Sequence, residues 1–210
     1  MERYLKVGGS FIRRQYAPHL LLVLFFCCMS AFFVSFRNLD ARQAAKVMEM
    51  YVAFVGILLL TPLFMPEQNG EIWLLKKSKA MPLWQLYLIR LLLAVTLLAM
   101  VVTIFAQLMR GNGSVFSFGQ LWLGSFTEIL FLGSIGFFMS AATNQVVLGY
   151  MGSVLYFMAN IGASKYLGHL GLFQMMKGEY NFIPVMFTAA MVFLAGGIFV
   201  RDVFNKSGIY

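Results

Sequence analysis

The stretch ILFLGSIGFFMSAATNQVVLGYMGSVLYFMANIGAS, residues 129–164, contains 36 consecutive uncharged residues and decides the class of fold. One straight α-helix of this length, at about 1.5 Å per residue, would be far longer than the ~30 Å hydrocarbon core of a bilayer. The stretch must therefore turn back once. Its only cluster of three polar side chains is Thr143-Asn144-Gln145, so we expect two membrane spans that meet at this turn.

Four further uncharged runs have the length of one crossing, which takes about 20 largely apolar residues. They contain 22, 17, 19 and 21 residues. Over the whole chain 60% of the residues are hydrophobic and 11% are charged, against about 25% charged residues in a soluble domain. The sequence therefore predicts an all-α integral membrane protein with a single domain, residues 1–210. We expect six transmembrane helices, at 18–36, 47–65, 86–109, 120–142, 146–163 and 183–200.

The 16 Lys and Arg residues are distributed unevenly between the two sides of this arrangement. With both termini in the cytosol, ten of them lie on the cytosolic side and six on the outer side, which is the bias of the positive-inside rule. We therefore expect a multi-pass protein of the cell membrane with cytosolic termini. The net charge of +8 also favours contact with anionic membrane lipids. Nucleic-acid binding is disfavoured, because no basic cluster outside the spans is interleaved with aromatic residues.

An amphipathic pattern precedes the first span, over residues 1–17. Projected at about 100° per residue, one half of the helical wheel is apolar and the other half is basic. The basic half contains Arg3, Lys6, Arg13 and Arg14. This pattern predicts a helix that lies at the membrane interface before Pro18 redirects the chain into the first span. Because Gly8 and Gly9 weaken a helix, a frayed basic tail that only sets the topology stays open as an alternative.

The segment PEQNGEIWLLKKSKAMP, residues 66–82, separates the second span from the third and is expected in the cytosol. Glu67 and Glu71 are four residues apart and would share one face of a helix, while Gly70 between them permits a tight turn. The run Ile72–Leu75 places apolar surface beside these carboxylates. Such surface is expected to dock on a partner protein. Alternatively, the apolar run dips into the membrane interface while the lysines hold lipid phosphates.

Seven residues in and after this segment carry a recognisable spacing: Glu67, Gly70, Glu71, Leu74, Leu75, Pro82 and Arg90. The spacing resembles the coupling segment of the ABC type 2 transporter permease family, and so does the plan of an amphipathic N-terminal helix followed by six spans. In that family the segment lodges in a cleft of the cytosolic ATP-binding subunit and transmits its opening and closing. The resemblance implies ATPase-coupling roles for Glu67, Gly70, Glu71, Trp73 and Leu75. It also implies a short helical insertion in the outer loop 164–182.

The chain contains no nucleotide-binding motif of its own. The nearest spacing, Gly119 with Gly124, is followed by Ser125 and lies in apolar sequence, whereas a P-loop requires Gly-Lys-Ser/Thr. The resemblance therefore implies that ATP and Mg are bound by separate cytosolic ABC ATPase subunits. It also implies a second copy of this permease, or a similar permease, as partner. The chain itself is expected to bind no cofactor or metal and to catalyse no reaction, since its two histidines lie at opposite ends of the spans.

One acidic residue, Glu128, stands apart. If the fourth span ends near Ala142, its length places Glu128 inside the membrane, where an ionised side chain costs on the order of 3 kcal/mol. Glu128 is therefore a candidate for the substrate path, and hydration from the outer side is the alternative. Asn160 in the fifth span is a second candidate, although an amide there can also simply bridge helices.

These features together predict the permease subunit of an ATP-driven ABC exporter, working by alternating access. The expected cargo is hydrophobic or amphiphilic, with peptides included in that class. The alternative is a membrane module that transports nothing, such as an assembly or sensor subunit.

Overall fold

A computed structural model describes residues 16–33, 36–68, 83–163 and 168–207 of the chain. These residues are predominantly helical, and the only β pairing among them is a single bridge between Asp40 and Val115. The α-helices are α1 Ala17–Phe33, α2 Ala41–Val47, α3 Ala53–Leu60, α4 Leu83–Gly111, α5 Phe118–Thr143, α6 Val146–Ala163 and α7 Ile183–Ser207. The prediction of an all-helical chain is confirmed for the described residues.

The second predicted span is built from four consecutive pieces of helix. A π-helical turn, Met48–Val52, joins α2 to α3, and a 3-10 segment, Thr61–Gln68, follows α3. The helix starts at Ala41, six residues before the predicted boundary. Gln43 explains this early start, because its side-chain Oε1 accepts a hydrogen bond from the Asp40 backbone N–H (3.2 Å) and so satisfies a donor that precedes the first turn.

Four helical segments are long and apolar enough to cross a membrane, judged by length and composition. They are Ala41–Pro66, Trp84–Gly111, Phe118–Thr143 and Ile183–Val203. Two shorter apolar helices accompany them, Ala17–Ser30 and Val146–Gly162. The chain therefore has the helices of a transmembrane protein at the six predicted places, four of them of full spanning length.

The predicted turn within residues 129–164 is confirmed. Helix α5 ends at Thr143, Asn144 adopts a left-handed conformation (φ 55°), and α6 begins at Val146. Asparagine visits this region more readily than most side chains because its short amide can hydrogen-bond locally. The Gln145 backbone N–H then donates to the Thr143 hydroxyl oxygen (3.3 Å). Helices α5 and α6 consequently run antiparallel.

Helix α5 lies at the centre of the bundle and packs against α3, α4, α6 and α7. Its most apolar window is 72% buried, whereas the corresponding windows of α4 and α7 are 28% and 22% buried and present apolar faces outward. Small residues permit this central packing. A Cβ on Gly133 would lie 2.5 Å from the Gly56 carbonyl oxygen, and one on Gly149 would lie 2.6 Å from the Gly136 carbonyl oxygen. The glycines thus mark contact seams, as helix-packing motifs in membranes do.

The helices run up and down, so their connections gather at two ends. Residues 36–49, 112–128 and 168–182 form one end, hereafter the carboxylate end. There the connection after α1 pairs with the connection after α4, through hydrogen bonds from Asn38 N–H to the Asn112 carbonyl (3.1 Å) and from Val115 N–H to the Leu39 carbonyl (3.0 Å). Residues 61–68, 83–90, 143–146 and 201 form the opposite end, hereafter the arginine end.

Two predicted features lie largely outside the described residues. They are the interfacial helix at residues 1–17, of which only residues 16 and 17 are described, and the coupling segment 66–82, of which only 66–68 are described. In the loop 164–182, where a short helical insertion was expected, the described part contains two short 3-10 turns, Gly168–Leu170 and Met175–Lys177. Three-residue turns of this kind are typical of connecting chain.

Candidate functional site

Glu128 lies inside the helix bundle at the carboxylate end. It belongs to the central helix α5, and its side chain is 1% exposed. One carboxylate oxygen, Oε1, accepts a hydrogen bond from the Phe173 backbone N–H (3.3 Å). The other, Oε2, accepts no hydrogen bond from an N–H donor among the described residues, and the carboxyl group hydrogen-bonds to that of Glu49. This burial argues against direct hydration of Glu128 from outside, and its role in a substrate path stays a prediction.

A second carboxylate, Glu49, lies next to Glu128. It is also 1% exposed, and the two carboxyl groups face each other. Its two oxygens accept hydrogen bonds from consecutive backbone N–H groups, that of Met175 at 2.7 Å and that of Met176 at 3.1 Å. Glu49 is thus the most completely hydrogen-bonded acidic group at this end. The sequence analysis did not select it.

The π-helical turn Met48–Val52 positions Glu49. The residues around it, Ala45, Met48 and Val52, are buried, so this part of the helix is packed on several sides. A π-turn inserts one extra residue per turn and is often found at functional sites. The uncharged run begins at Met50, and the predicted span 47–65 included Glu49 at its edge without marking it as a site residue. The Asp40 and Gln43 pair, read as a helix start, would have placed Glu49 well inside that helix.

Asn160 completes a set of three acceptors. Its Oδ1 accepts a hydrogen bond from the Leu172 backbone N–H (2.8 Å), and its Nδ2 donates to the Tyr156 carbonyl of its own helix (2.8 Å). Glu49, Glu128 and Asn160, hereafter the acceptor cluster, therefore come from three separate helical segments. Together they receive the N–H groups of residues 172, 173, 175 and 176. Glu128 and Asn160, the two residues that the sequence predicted for the substrate path, therefore lie at the same end of the bundle and bind the same stretch of chain.

That stretch, residues 171–176, is hereafter the capping segment. Its side chains from Leu172 to Met175 are buried among the helix ends. Phe173 has a left-handed backbone conformation (φ 66°), which is unusual for a bulky side chain, and its ring meets that of Phe157 edge-on at 5.4 Å. The Gln174 side-chain amide donates to the Gly168 and Gly171 carbonyls (2.8 and 2.9 Å). The segment is thus a short, internally braced piece of chain inserted into the bundle.

The two carboxyl groups determine the electrostatics of this site. The exposed Lys177 attracts Glu49 through space, but neither carboxylate of the pair has a cationic hydrogen-bond partner among the described residues. Burial and, secondarily, the Glu49 carboxylate raise the pKa of Tyr180 just outside the bundle. Within the described ranges no group of three His, Cys, Asp or Glu side chains could hold a metal ion. The arrangement is suited to accepting hydrogen bonds from N–H donors.

The arginine end also buries charged side chains. Arg90 of α4 is 3% exposed and donates from Nη1 to the Leu63 carbonyl (3.1 Å). Arg201 of α7 is 1% exposed, donates to the Asn144 side-chain oxygen, and places its guanidinium 5.8 Å from the centre of the Phe64 ring. We call these five residues the arginine junction. In the sequence, Arg90 belongs to the spacing that resembles the coupling segment, and Arg201 is one of the 16 basic residues used to predict the topology.

The predicted ATPase-coupling residues lie beside this junction in the chain. Glu67 is part of the 3-10 segment Thr61–Gln68 that carries Leu63 and Phe64. Gly70, Glu71, Trp73 and Leu75 are outside the described residues, so their coupling role stays a prediction. Comparison of the chain with family models, with curated proteins and with solved structures finds no match.

Proposed function

We propose that this chain is the permease subunit of an ATP-driven exporter for hydrophobic or amphiphilic cargo. In this proposal all six apolar helices cross the cell membrane, both termini are cytosolic, and a second permease copy or a similar permease completes the pathway. Separate cytosolic ATPase subunits bind ATP and Mg and dock on residues 66–82. The arginine junction is the observation that carries this proposal.

The junction ties the two ends of residues 66–82 to each other. The described residues end at Gln68 before this segment and resume at Leu83 after it, and the hydrogen bond from Arg90 to the Leu63 carbonyl joins the helical segments on either side. A displacement of the segment between them would therefore move both helices together. A segment that couples ATP hydrolysis to transport needs this mechanical attachment.

The same junction reaches the remaining helices of the central packing. Arg201 belongs to α7 and donates a hydrogen bond to Asn144, which ends α5 and precedes α6. Charge-assisted hydrogen bonds are shorter and roughly twice as strong as neutral ones, and breaking a buried one costs several kcal/mol. Movement at residues 66–82 would consequently be transmitted to helices that also hold Glu128 and Asn160 at the far end.

Alternating access also requires an end that can open. The carboxylate end is closed by the capping segment, which is joined to the helices through hydrogen bonds to three side chains. In the proposed orientation this end faces outward and the arginine end faces the cytosol, in agreement with the ten-to-six distribution of Lys and Arg. Cargo released outward would pass the capping segment.

Co-purification of the tagged full-length chain from its native membranes tests the proposal. We expect a partner chain with a P-loop ATPase motif, cross-linked to cysteines introduced within residues 66–82. The double change Glu71→Lys with Trp73→Ala should release that partner, or uncouple ATP hydrolysis from transport, while membrane insertion stays normal. Glu179→Lys makes the same charge reversal on the opposite end and is the matched control.

Two results would overturn the proposal. A complex that survives the double change with coupled activity would show that residues 66–82 contact lipid and not an ATPase. Purification without any ATPase chain, together with unimpaired function of a strain lacking neighbouring ATPases, would favour a membrane module that transports nothing.

A further inference from the structure

We propose that the Glu49–Glu128 pair is the binding site for a positively charged nitrogen of the cargo, an ammonium-type group on an apolar body. The capping segment occupies this site in the present structure. The inference rests on the proposed export function, which it deepens by naming a class of cargo.

The first support is that the pair has no cationic hydrogen-bond partner in the described part of the chain. The two buried carboxyl groups hydrogen-bond to each other and otherwise receive neutral backbone N–H donors, from residues 173, 175 and 176. Acidic side chains within membrane spans pair with charges or mark substrate pathways, and an unpaired buried charge is costly. An incoming cation would supply the compensation that neutral amides cannot, because hydrogen bonds between two charged groups are the stronger ones.

The second support is the unused acceptor capacity at this place. Glu128 Oε2 accepts no hydrogen bond from an N–H donor in the described part of the chain. The hydroxyl of Ser125, which is 1% exposed and one helical turn before Glu128, has no hydrogen-bond partner there either. A primary ammonium carries three N–H donors. Glu49, Glu128 and the hydroxyl of Ser125 lie on adjacent helical segments. Each of them can accept one of these three N–H groups.

The third support is the apolar wall beside the pair. The ring of Phe157 in α6 packs at a tilt against that of Phe54 in α3, with centroids 4.6 Å apart, and meets the ring of Phe173 in the capping segment edge-on. If the capping segment lifts, the Phe173 ring leaves and the face of Phe157 becomes available to an apolar tail. Aromatic faces also attract cations. A cationic amphiphile fits this combination of carboxylates and rings better than a neutral or anionic one.

The segment and the cargo would then compete for the same oxygens. The N–H groups of residues 173, 175 and 176 must leave Glu49 and Glu128 when an ammonium binds. Binding of the cation therefore opens the segment, and reclosure of the segment expels the cation. This exchange gives the outer end a means of releasing its cargo.

Binding of dodecylammonium to the full-length permease in lipid nanodiscs, without ATPase or ATP, tests the site. Dodecanol and dodecyl sulfate, which have the same tail, are the comparison probes. We expect dodecylammonium to bind at least tenfold more tightly than either of them. Glu49→Gln and Glu128→Gln should each remove most of that preference, while Glu179→Gln, an exposed carboxylate on the same loop, should retain it.

Hydrogen exchange in the unmodified chain tests the site without a substitution that could impair folding. Dodecylammonium should accelerate exchange at residues 173, 175 and 176 by about tenfold, and dodecanol should not. Equal binding of all three probes, or unchanged exchange with bound dodecylammonium, would overturn the site.

The outcomes separate this inference from the proposed function. ATP-dependent transport confined to uncharged amphiphiles, with no preference for the amine, would overturn the cation site and leave the exporter intact. A clear amine preference in a chain that binds no ATPase would support the site and overturn the exporter.

Discussion

The two ends of the helix bundle bury opposite charges and hold them in different ways. At the carboxylate end, Glu49 and Glu128 accept hydrogen bonds from a short connecting segment that could leave without unwinding a helix. At the arginine end, Arg90 and Arg201 donate to the Leu63 carbonyl of the 3-10 segment and to the side chain of Asn144, which ends α5. In the proposed mechanism the first end opens and the second transmits force.

The energetic consequences follow from what each charged group contacts. Removing a guanidinium at the arginine end would leave helix-terminating acceptors unpaired. Neutralising a carboxylate at the other end would remove a buried negative charge as well as hydrogen bonds, and these two effects oppose each other. We therefore expect global stability to depend on the arginines, and local opening to depend on the carboxylates.

The largest expected effect concerns which side of the membrane each end of the bundle faces. Single cysteines near Lys77 should react with an impermeant maleimide only from the cytosol, and cysteines near Lys177 only from outside. The ten-to-six distribution of basic residues is the reason. The native cysteines, Cys27 and Cys28, are replaced by alanine for this labelling. The reverse accessibility would exchange the roles given to the two ends.

The next largest effect is the loss of stability after Arg201→Ala. We expect the free energy of unfolding in mixed micelles to fall by about 3 kcal/mol, since Arg201 is 1% exposed and its removal leaves a cavity beside Phe64 and an unpaired Asn144 amide. Arg201→Met should lose less because it refills the volume. Arg110→Ala, an exposed arginine at the end of α4, is the control and should change stability by less than about 0.5 kcal/mol. If Arg201→Ala also lowers the free energy of unfolding by less than about 0.5 kcal/mol, the arginine junction contributes little to stability.

Local opening of the capping segment should respond most to Glu49. Glu49→Ala removes two hydrogen bonds, to the N–H groups of Met175 and Met176, each with a charged acceptor worth about 1.5–3 kcal/mol. Exchange of these two amides should accelerate by at least tenfold. Glu128→Ala removes one longer bond, at 3.3 Å, and should accelerate the Phe173 amide less. Equal acceleration along the whole segment in both variants would mean that the helices, and not the segment, had loosened.

The role of Glu128 in transport is tested by a pair of substitutions at that position. Glu128→Gln should keep expression and assembly but alter transport or cargo-stimulated ATP hydrolysis, because the side chain retains its shape and loses its charge. Transport that remains intact in Glu128→Leu would remove Glu128 from the substrate path. It would then be only a structural partner of the Phe173 N–H.

Hydropathy predicted the helices because an uncharged run of spanning length has few other folds available in a bilayer. The turn at Asn144 was predictable for the same reason, from the only polar cluster in the longest run. Glu49 was not, because its partners Met175 and Met176 lie 126 and 127 residues further along the chain. The burial of Arg90 and Arg201 was not predictable either, because it involves contacts with residues 27 and 57 positions away. The local sequence pattern predicts where a helix forms. It does not predict which charged side chains will be buried by a segment distant in the sequence.

The smallest expected effect concerns Asn160. This residue either contributes to the substrate path or only bridges helices, and the two roles predict different results. Its Oδ1 accepts one hydrogen bond from the neutral Leu172 N–H (2.8 Å), and such a bond contributes about 0.5–1.5 kcal/mol. Asn160→Ala should therefore accelerate exchange of the Leu172 amide by roughly two- to twelvefold and leave the Met175 and Met176 amides close to their original rates. Gln107→Ala truncates an exposed amide on α4 and should change none of them. If Asn160→Ala also lowers transport while Leu172 alone is loosened, Asn160 contacts the cargo as well. Transport that stays unchanged would make Asn160 a bridge between α6 and the capping segment, with the carboxylates alone facing the cargo.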